Sequence, residues 1–484
     1  MSAPGVAAVA LAVLASTMGC AGGTDGPDAL PPAAAPAGVP TTSPVEPDLD
    51  LAVSEPRKDS VYPAIGDPGV DALHYDLTLT WDPVAEELDG LEELTFRATA
   101  DAEDFRLDLG EPLTVGAVTV DGADTGFEHR GKDLVVDHPV EEDGEYTVFV
   151  HYSGTPAPVD APVRRRDFSQ TGWTTVPGGA VWTMQEPFGA YSWYAVNDQP
   201  SDKARYDITL RVPPPMVGVA NGELRSQRTR NGLSVSRWHL DEPAASYLVT
   251  VAIGDLEETT DTSPSGVPIS FWVPRGRTDL VARLRAAPAG LAWLEERLGP
   301  YPFDRLGFVV VPSRSGMETQ TMITLGDTPY ATSPEVLVHE MAHHWYGDTV
   351  TPLDWRDVWM NEGMATFLQG AWMAEHGPAS MEQVFARWAE ADAELRNEYG
   401  PPAAYHPDAF ASSNVYYIPA VMWNELRKRI GDERFWELVR AWPEEHENAN
   451  ATYDDITGWW SERTGEDLSG FFAAWLLAEE SPAA

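Results

Sequence analysis

The chain has 484 residues, 43% of them hydrophobic and 10% aromatic, which is too long for one ordinary core and too apolar for a disordered polymer. Its 76 acidic residues outnumber 32 basic ones for a formal charge of -44, so a generic nucleic-acid binder is excluded, because phosphate would be repelled. The single cysteine, Cys20, rules out an internal disulfide and leaves stability to core packing and bound metal.

Residues 1–20, MSAPGVAAVALAVLASTMGC, carry an apolar run from Val6 to Ala15, too short to span a bilayer but suited to the core of an export signal. Cys20 follows Gly19 where such a segment would be cut. The placement resembles a bacterial lipobox, although Thr17 replaces the usual Leu and no Lys or Arg precedes the run. The expectation is an exported protein, either a cell-surface lipoprotein anchored to the membrane only through Cys20 or a secreted protein with an ordinary cleaved signal. Residues 21–61, rich in Pro, Ala and acids, predict a disordered tether.

From 62 to 258, short alternating runs such as HYDLTLTWD, GEYTVFVHYSG and RYDITLRVP are broken by Gly, Pro, Asp and Asn, the pattern of an antiparallel β domain. From 259 the periodicity turns helical. Leu280, Leu284, Ala287, Leu291, Leu294 and Leu298 share a face, with Pro288 predicting a kink or split. YPFDRLGFVVVP adds a short buried strand and further helices follow, so 259–484 is expected to be an α-rich α+β body.

Ser333-Pro334-Glu335 predicts a helix start, with Ser as N-cap and Pro in the first turn. On that helix His339 and His343 are four residues apart, so both imidazoles lie on one face and can share a tetrahedral metal. His344, turned about 100° away, cannot join them and is expected to pack or to face substrate. Glu340 completes H-E-x-x-H, in which the glutamate is the general base beside a zinc ion. Eighteen residues separate His343 from Glu362, which opens a second helical stretch and is the candidate third ligand. Two His and one carboxylate leave a coordination position open, as catalytic zinc sites do. Thr366, one turn further on, is a candidate partner for that carboxylate or a core residue.

The stretch HEMAHHWYGDTVTPLDWRDVWMNEGMATF resembles the zinc aminopeptidases of the M1 family, gluzincins in which H-E-x-x-H is followed after eighteen residues by N-E-G-x-A-T. The resemblance implies a thermolysin-like catalytic domain over 259–484 holding one Zn2+ per chain through His339, His343 and Glu362, with Glu340 as base. SRSGMETQT is similar to the family's G-x-M-E-N motif, which implies that Gly316, Met317 and Glu318 bind substrate and that Glu318 meets the free amine; Ser315 and Thr319 depart from the motif. WTMQEPFG is similar to a Gln-x-Glu-Pro stretch and implies a second amine contact at Glu186, with Met184 in place of Gln. In the continuation, Asp198, Pro200 and Lys203 match positions read as structural. SSNVYYIPA is similar to the family's V-Y-x-x-G-A, implying Tyr416 as the donor to the oxyanion, with Tyr417 as the alternative and Pro419 at the Gly position.

The resemblance runs from about residue 62 to the end and implies a short form without the family's large C-terminal helical domain, hence a more open site. The expected activity is hydrolysis of the N-terminal peptide bond of peptides with a free N-terminus by a monomer that binds no nucleic acid. Its rivals are an open-site zinc endopeptidase, a surface-binding lipoprotein without activity, and an epoxide hydrolase as in one branch of the family.

Overall fold

The computed structural model describes residues 49–165 and 168–482. The signal segment, Cys20 and the tether as far as residue 48 lie outside the described residues. The rest of the expected tether is not one. Residues 49–61 pack onto the body, with the Ser54 amide donating to Asp71 Oδ1 at 3.0 Å and the Trp355 amide to Asp59 Oδ2 at 2.7 Å. Composition suggested an unstructured acid-rich run, but Asp59 is a buried acceptor for amides of Val61, Tyr62 and Trp355, a pairing that local sequence cannot reveal.

The N-terminal β body is built on an eight-stranded sheet whose order is Glu223–Arg230, Leu233–Ala245, Lys203–Val212, Val70–Asp82, Glu87–Ala98, Glu145–Gly154, Leu113–Val120 and Ala123–Asp124. Its strands obey the period of two: Tyr75, Leu77, Leu79 and Trp81 all point into the core. The sheet is antiparallel except where Val70–Asp82 runs parallel to Lys203–Val212, which joins the first strand of the domain to one more than a hundred residues later. A second sheet, ordered Val217–Ala220, Val251–Gly254, Val181–Met184, Gln170–Thr175 and Val159–Asp160, carries the chain to Glu186 just beyond the end of its central strand.

A third sheet runs Leu256–Thr262, Pro268–Pro274, Leu306–Val311, Met322–Gly326 and Gly316–Met317. The boundary expected at 258/259 therefore falls inside strand Leu256–Thr262, the outer strand of this third sheet, which pairs antiparallel with Pro268–Pro274. The short edge strand Gly316–Met317 pairs antiparallel with Met322–Gly326 and sets Glu318 at the sheet margin. The amphipathic run after residue 277 is divided into helices Thr278–Leu284 and Ala287–Leu298, with Pro288 in the first turn of the second, where its missing N–H costs nothing.

Three helices frame the site. Pro334–His343 starts at Ser333 as the spacing predicts, although the Ser333 hydroxyl makes no capping bond. Trp359–His376 is buried around its whole first half. Ser413–Ile430 contains Pro419, which packs on Gly363: a Cβ at Gly363 would stand 2.5 Å from the proline Cβ. The two helices touch through a residue without a side chain, and that close approach brings Tyr416, one turn before Pro419, over Glu362. The β body is tied to this frame by buried polar contacts. Lys203 Nζ donates to the carbonyls of Asp348 at 2.9 Å and Thr349 at 3.1 Å, and Tyr247 donates to Gly347 O at 3.1 Å.

Candidate active site

His339 and His343 project from one face of helix Pro334–His343 toward Glu362, which stands in the first turn of helix Trp359–His376. Their Nε2 atoms are 3.2 Å apart, and each faces Glu362 Oε2, at 3.3 Å from His339 and 3.5 Å from His343. Ligands held about 2.0–2.1 Å from one tetrahedral ion stand roughly 3.3 Å from each other. The triangle is therefore the size that zinc requires. Among the described residues Glu362 Oε2 is buried without a well-formed hydrogen bond, an arrangement that is costly unless a cation fills the space. His343 Nδ1 lies 3.2 Å from Tyr346 O, so its proton belongs on that nitrogen and Nε2 keeps its lone pair for a metal.

The charges tell the same story. Burial acts to raise the Glu362 pKa, but the two imidazoles outweigh it and hold the carboxyl well below its usual range. Burial pushes Glu340 up to about 8, with Glu318 adding repulsion. A divalent ion held by the neighbouring His339 would bring the Glu340 carboxyl back toward its ionised form.

The triad opens into a cavity of about 540 Å³ that is also lined by Glu186, Gly316, Met317, Glu318, Glu340 and Tyr416. Glu340 lies against Gly316, and a Cβ at that position would collide with its carboxylate. Gly316→Ala is accordingly expected to keep its metal and lose about 10²-fold in kcat through displacement of Glu340; a wild-type kcat in this variant would show that the glycine is dispensable. Glu186 and Glu318 are only 5% and 3% exposed, and each has an Oε1 without a partner among the described residues. Burial raises both pKa values, as expected of carboxylates awaiting a cation, and at Glu186 the charge of Glu318 adds to it. Met184, at the Gln position, is buried with its sulfur 3.8 Å from Ser313 Oγ, while Gln185 turns inward to the carbonyls of Ser246 and Val249. Lys203 and Asp198 serve packing: Asp198 accepts from the Gly189 amide and the Ser246 hydroxyl.

Tyr416 stacks over His339, with ring centroids 6.1 Å apart, and its hydroxyl faces Glu362. Tyr417 instead stacks on Trp388 at 5.3 Å. His344 is fully buried, accepting from or donating to Tyr301 Oη at 2.7 Å and packed against Phe303, so it does not face substrate. Thr366 lines the cavity with its hydroxyl unpartnered. Several lining residues were not foreseen, and one of them touches Tyr416. Arg165, from the β body, reaches Tyr416 Oη at 3.4 Å. The only signal for it was a run of three arginines, Arg164 to Arg166, in a strongly acidic chain.

Comparison with known proteins gives the family. Residues 283–475 match the peptidase family M1 domain and residues 71–248 the peptidase M1 N-terminal domain. Aminopeptidase M1-B of Oryza sativa subsp. japonica is 22% identical over 457 residues, covering 85% of this chain and 50% of the relative. Aminopeptidase N of Streptomyces lividans is 23% identical over 61% of this chain and 38% of its own length. The chain thus spans half or less of these relatives. An M1 zinc metallopeptidase of Deinococcus radiodurans, solved as a Glu-to-Ala mutant with a Tyr-Ser-Ala substrate, superimposes with a TM-score of 0.76 at 25% identity, covering 88% of this chain and 98% of that one. With both family domains matched in order, and with a histidine-glutamate triad suited to zinc, the chain belongs to peptidase family M1.

Proposed function

We propose that the protein is a zinc aminopeptidase that removes single residues from the free N-terminus of peptides. The observation that carries this reading is the pair of buried carboxylates, Glu186 and Glu318, each with an unpartnered oxygen, in the same cavity as the triad. An endopeptidase needs the metal and a base; two buried carboxylates in the same cavity as the metal suit an ammonium group one residue from the scissile bond, which is where a free N-terminus places it. The curated relatives named aminopeptidase, and the Deinococcus enzyme solved with a tripeptide, support the same conclusion.

His339, His343 and Glu362 would hold zinc, which when bound polarises the scissile carbonyl and makes water a nucleophile near neutral pH. Glu186 and Glu318 accept hydrogen bonds from the substrate's ammonium and so fix the first carbonyl beside Glu340. Glu340 takes a proton from the attacking water and later delivers it to the departing amine. Tyr416 donates its phenolic hydrogen to the carbonyl oxygen as negative charge gathers there. The water oxygen bonds to the carbonyl carbon, the C–N bond breaks as the carbonyl re-forms, one water proton passes by way of Glu340 to the leaving nitrogen, the products are a carboxylate and an amine, and Glu340 ends as it began.

Glu318→Ala is expected to weaken kcat/KM toward an aminoacyl fluorogenic substrate by about 2–5 kcal/mol, the cost of removing one partner of a buried charged contact. In the zinc-loaded wild type, N-acetylation of a peptide is expected to block its cleavage. Equal cleavage of acetylated and free peptides would instead establish the endopeptidase reading.

A further inference from the structure

Pro162 to Arg165 follow strand Val159–Asp160 of the β body, yet they are fastened to the other body. Arg164 grips Asp408 through Nη2 at 2.8 and 3.0 Å and through Nε at 3.1 Å, and donates from Nη1 to Glu398 O at 2.7 Å. Pro162 O accepts from the Phe410 amide at 3.0 Å. These contacts hold the connection against the loop that leads into helix Ser413–Ile430. Arg165 is delivered by this clamp into the cavity, where Nη1 donates to Ala411 O at 3.1 Å and to Tyr416 Oη at 3.4 Å. Its guanidinium carbon is 6.0 Å from the Tyr416 ring centroid.

We propose that Arg165 is a positioning residue for Tyr416, orienting its hydroxyl and supplying fixed positive charge behind it. The proposal rests on the reading of Tyr416 as the oxyanion donor. An N–H directed at the phenolic oxygen occupies a lone pair, so the oxygen's own hydrogen is left to point at the substrate carbonyl. A donor that is itself hydrogen-bonded to a cation gives its proton more strongly, and a cation in a partly dry cleft favours the negative charge that forms nearby. At 3.4 Å the contact is near the long limit for such a bond, so orientation and charge carry the effect rather than a short bond. Arginine suits the task because its Nη1 carries two hydrogens, one for Ala411 O and one for the phenol, and the guanidinium never loses its charge.

The rival duty for a cation in this cleft is direct capture of the carboxylate of a very short peptide. The two duties differ in what they change. Wild type, Arg165→Met, Arg165→Lys, Tyr416→Phe and the Arg165→Met/Tyr416→Phe double variant, all with zinc content measured, are assayed on an aminoacyl anilide, which has no carboxylate, and on a dipeptide. Tyr416→Phe is expected to lose about 10²–10³-fold in kcat, the range for one oxyanion donor. Arg165→Met is expected to lose about tenfold in kcat on both substrates with KM within about twofold, and Arg165→Lys to recover part of that loss. In the Tyr416→Phe background, Arg165→Met should cost nothing further, since the residue it acts through is gone. Arg164→Ala, which opens the clamp and leaves Arg165 in place chemically, is expected to reproduce part of the Arg165→Met defect. A full tenfold loss from Arg165→Met in the Tyr416→Phe background would overturn the proposal while leaving the role of Tyr416 intact. A rise in dipeptide KM with unchanged anilide kcat would overturn it in favour of carboxylate capture. An unchanged kcat in Tyr416→Phe would remove the reading of Tyr416, and the proposal with it.

Discussion

Glu340→Gln is expected to keep one zinc per chain and to lose roughly 10²–10⁴-fold in kcat, the range a positioned general base supplies. The amide is nearly isosteric with the carboxylate, so the contact with Gly316 and the turn of helix between His339 and His343 are preserved. What disappears is the capacity to take a proton from water and return it to the leaving amine. The side chain is buried and borders the triad, so bulk water cannot readily stand in for it. The measurement is kcat on an aminoacyl fluorogenic substrate with zinc determined by atomic absorption on the same preparation. A variant that holds zinc and turns over within threefold of wild type would remove Glu340 from the mechanism.

Glu362→Ala is expected to lose both zinc and hydrolysis. The two imidazoles remain, but only two of the three ligands suited to a catalytic zinc site are then present, and the anion that offsets the metal's charge is gone. Wild-type protein should be stabilised by zinc, by about 2.7 kcal/mol at a free concentration one hundred times the dissociation constant, because the metal binds only the folded arrangement. A chelator should abolish hydrolysis and added zinc should restore it. In Glu362→Ala neither the unfolding midpoint nor the activity should respond to zinc. A zinc-dependent shift of wild-type size in the variant would show that the ion sits elsewhere.

Legibility of the fold and site in the sequence followed the range of the interactions involved. The β and helical bodies were readable because side chains alternate along a strand and recur every 3.6 residues along a helix, and both periods are local. The split at Pro288 was readable for the same reason, since proline acts on its own turn. The packing of residues 49–61 was not readable, because Asp59 is satisfied by an amide 296 positions away. The expected boundary at 258/259 divided the strand across residues 256–262, whereas its pairing with Pro268–Pro274 places the whole strand in the third sheet. His344 was left between packing and substrate, and only the position of Tyr301 and Phe303 decides for packing.

The sequence by itself determined the metal-binding pattern: the four-residue spacing of His339 and His343 fixes their common face, and the motif around Glu362 marks the third ligand. Only the tertiary structure decided which groups share the cavity with them. Glu186 arrives from the end of one sheet, Glu318 from the edge of another, Tyr416 from a helix seated on Gly363, and Arg165 from a connection 251 positions before the tyrosine it touches. Helical spacing is imposed by bonds between near neighbours, so it survives in a string of letters. Convergence of distant side chains depends on sheet register and on how two bodies dock, and these are properties of the packed chain alone.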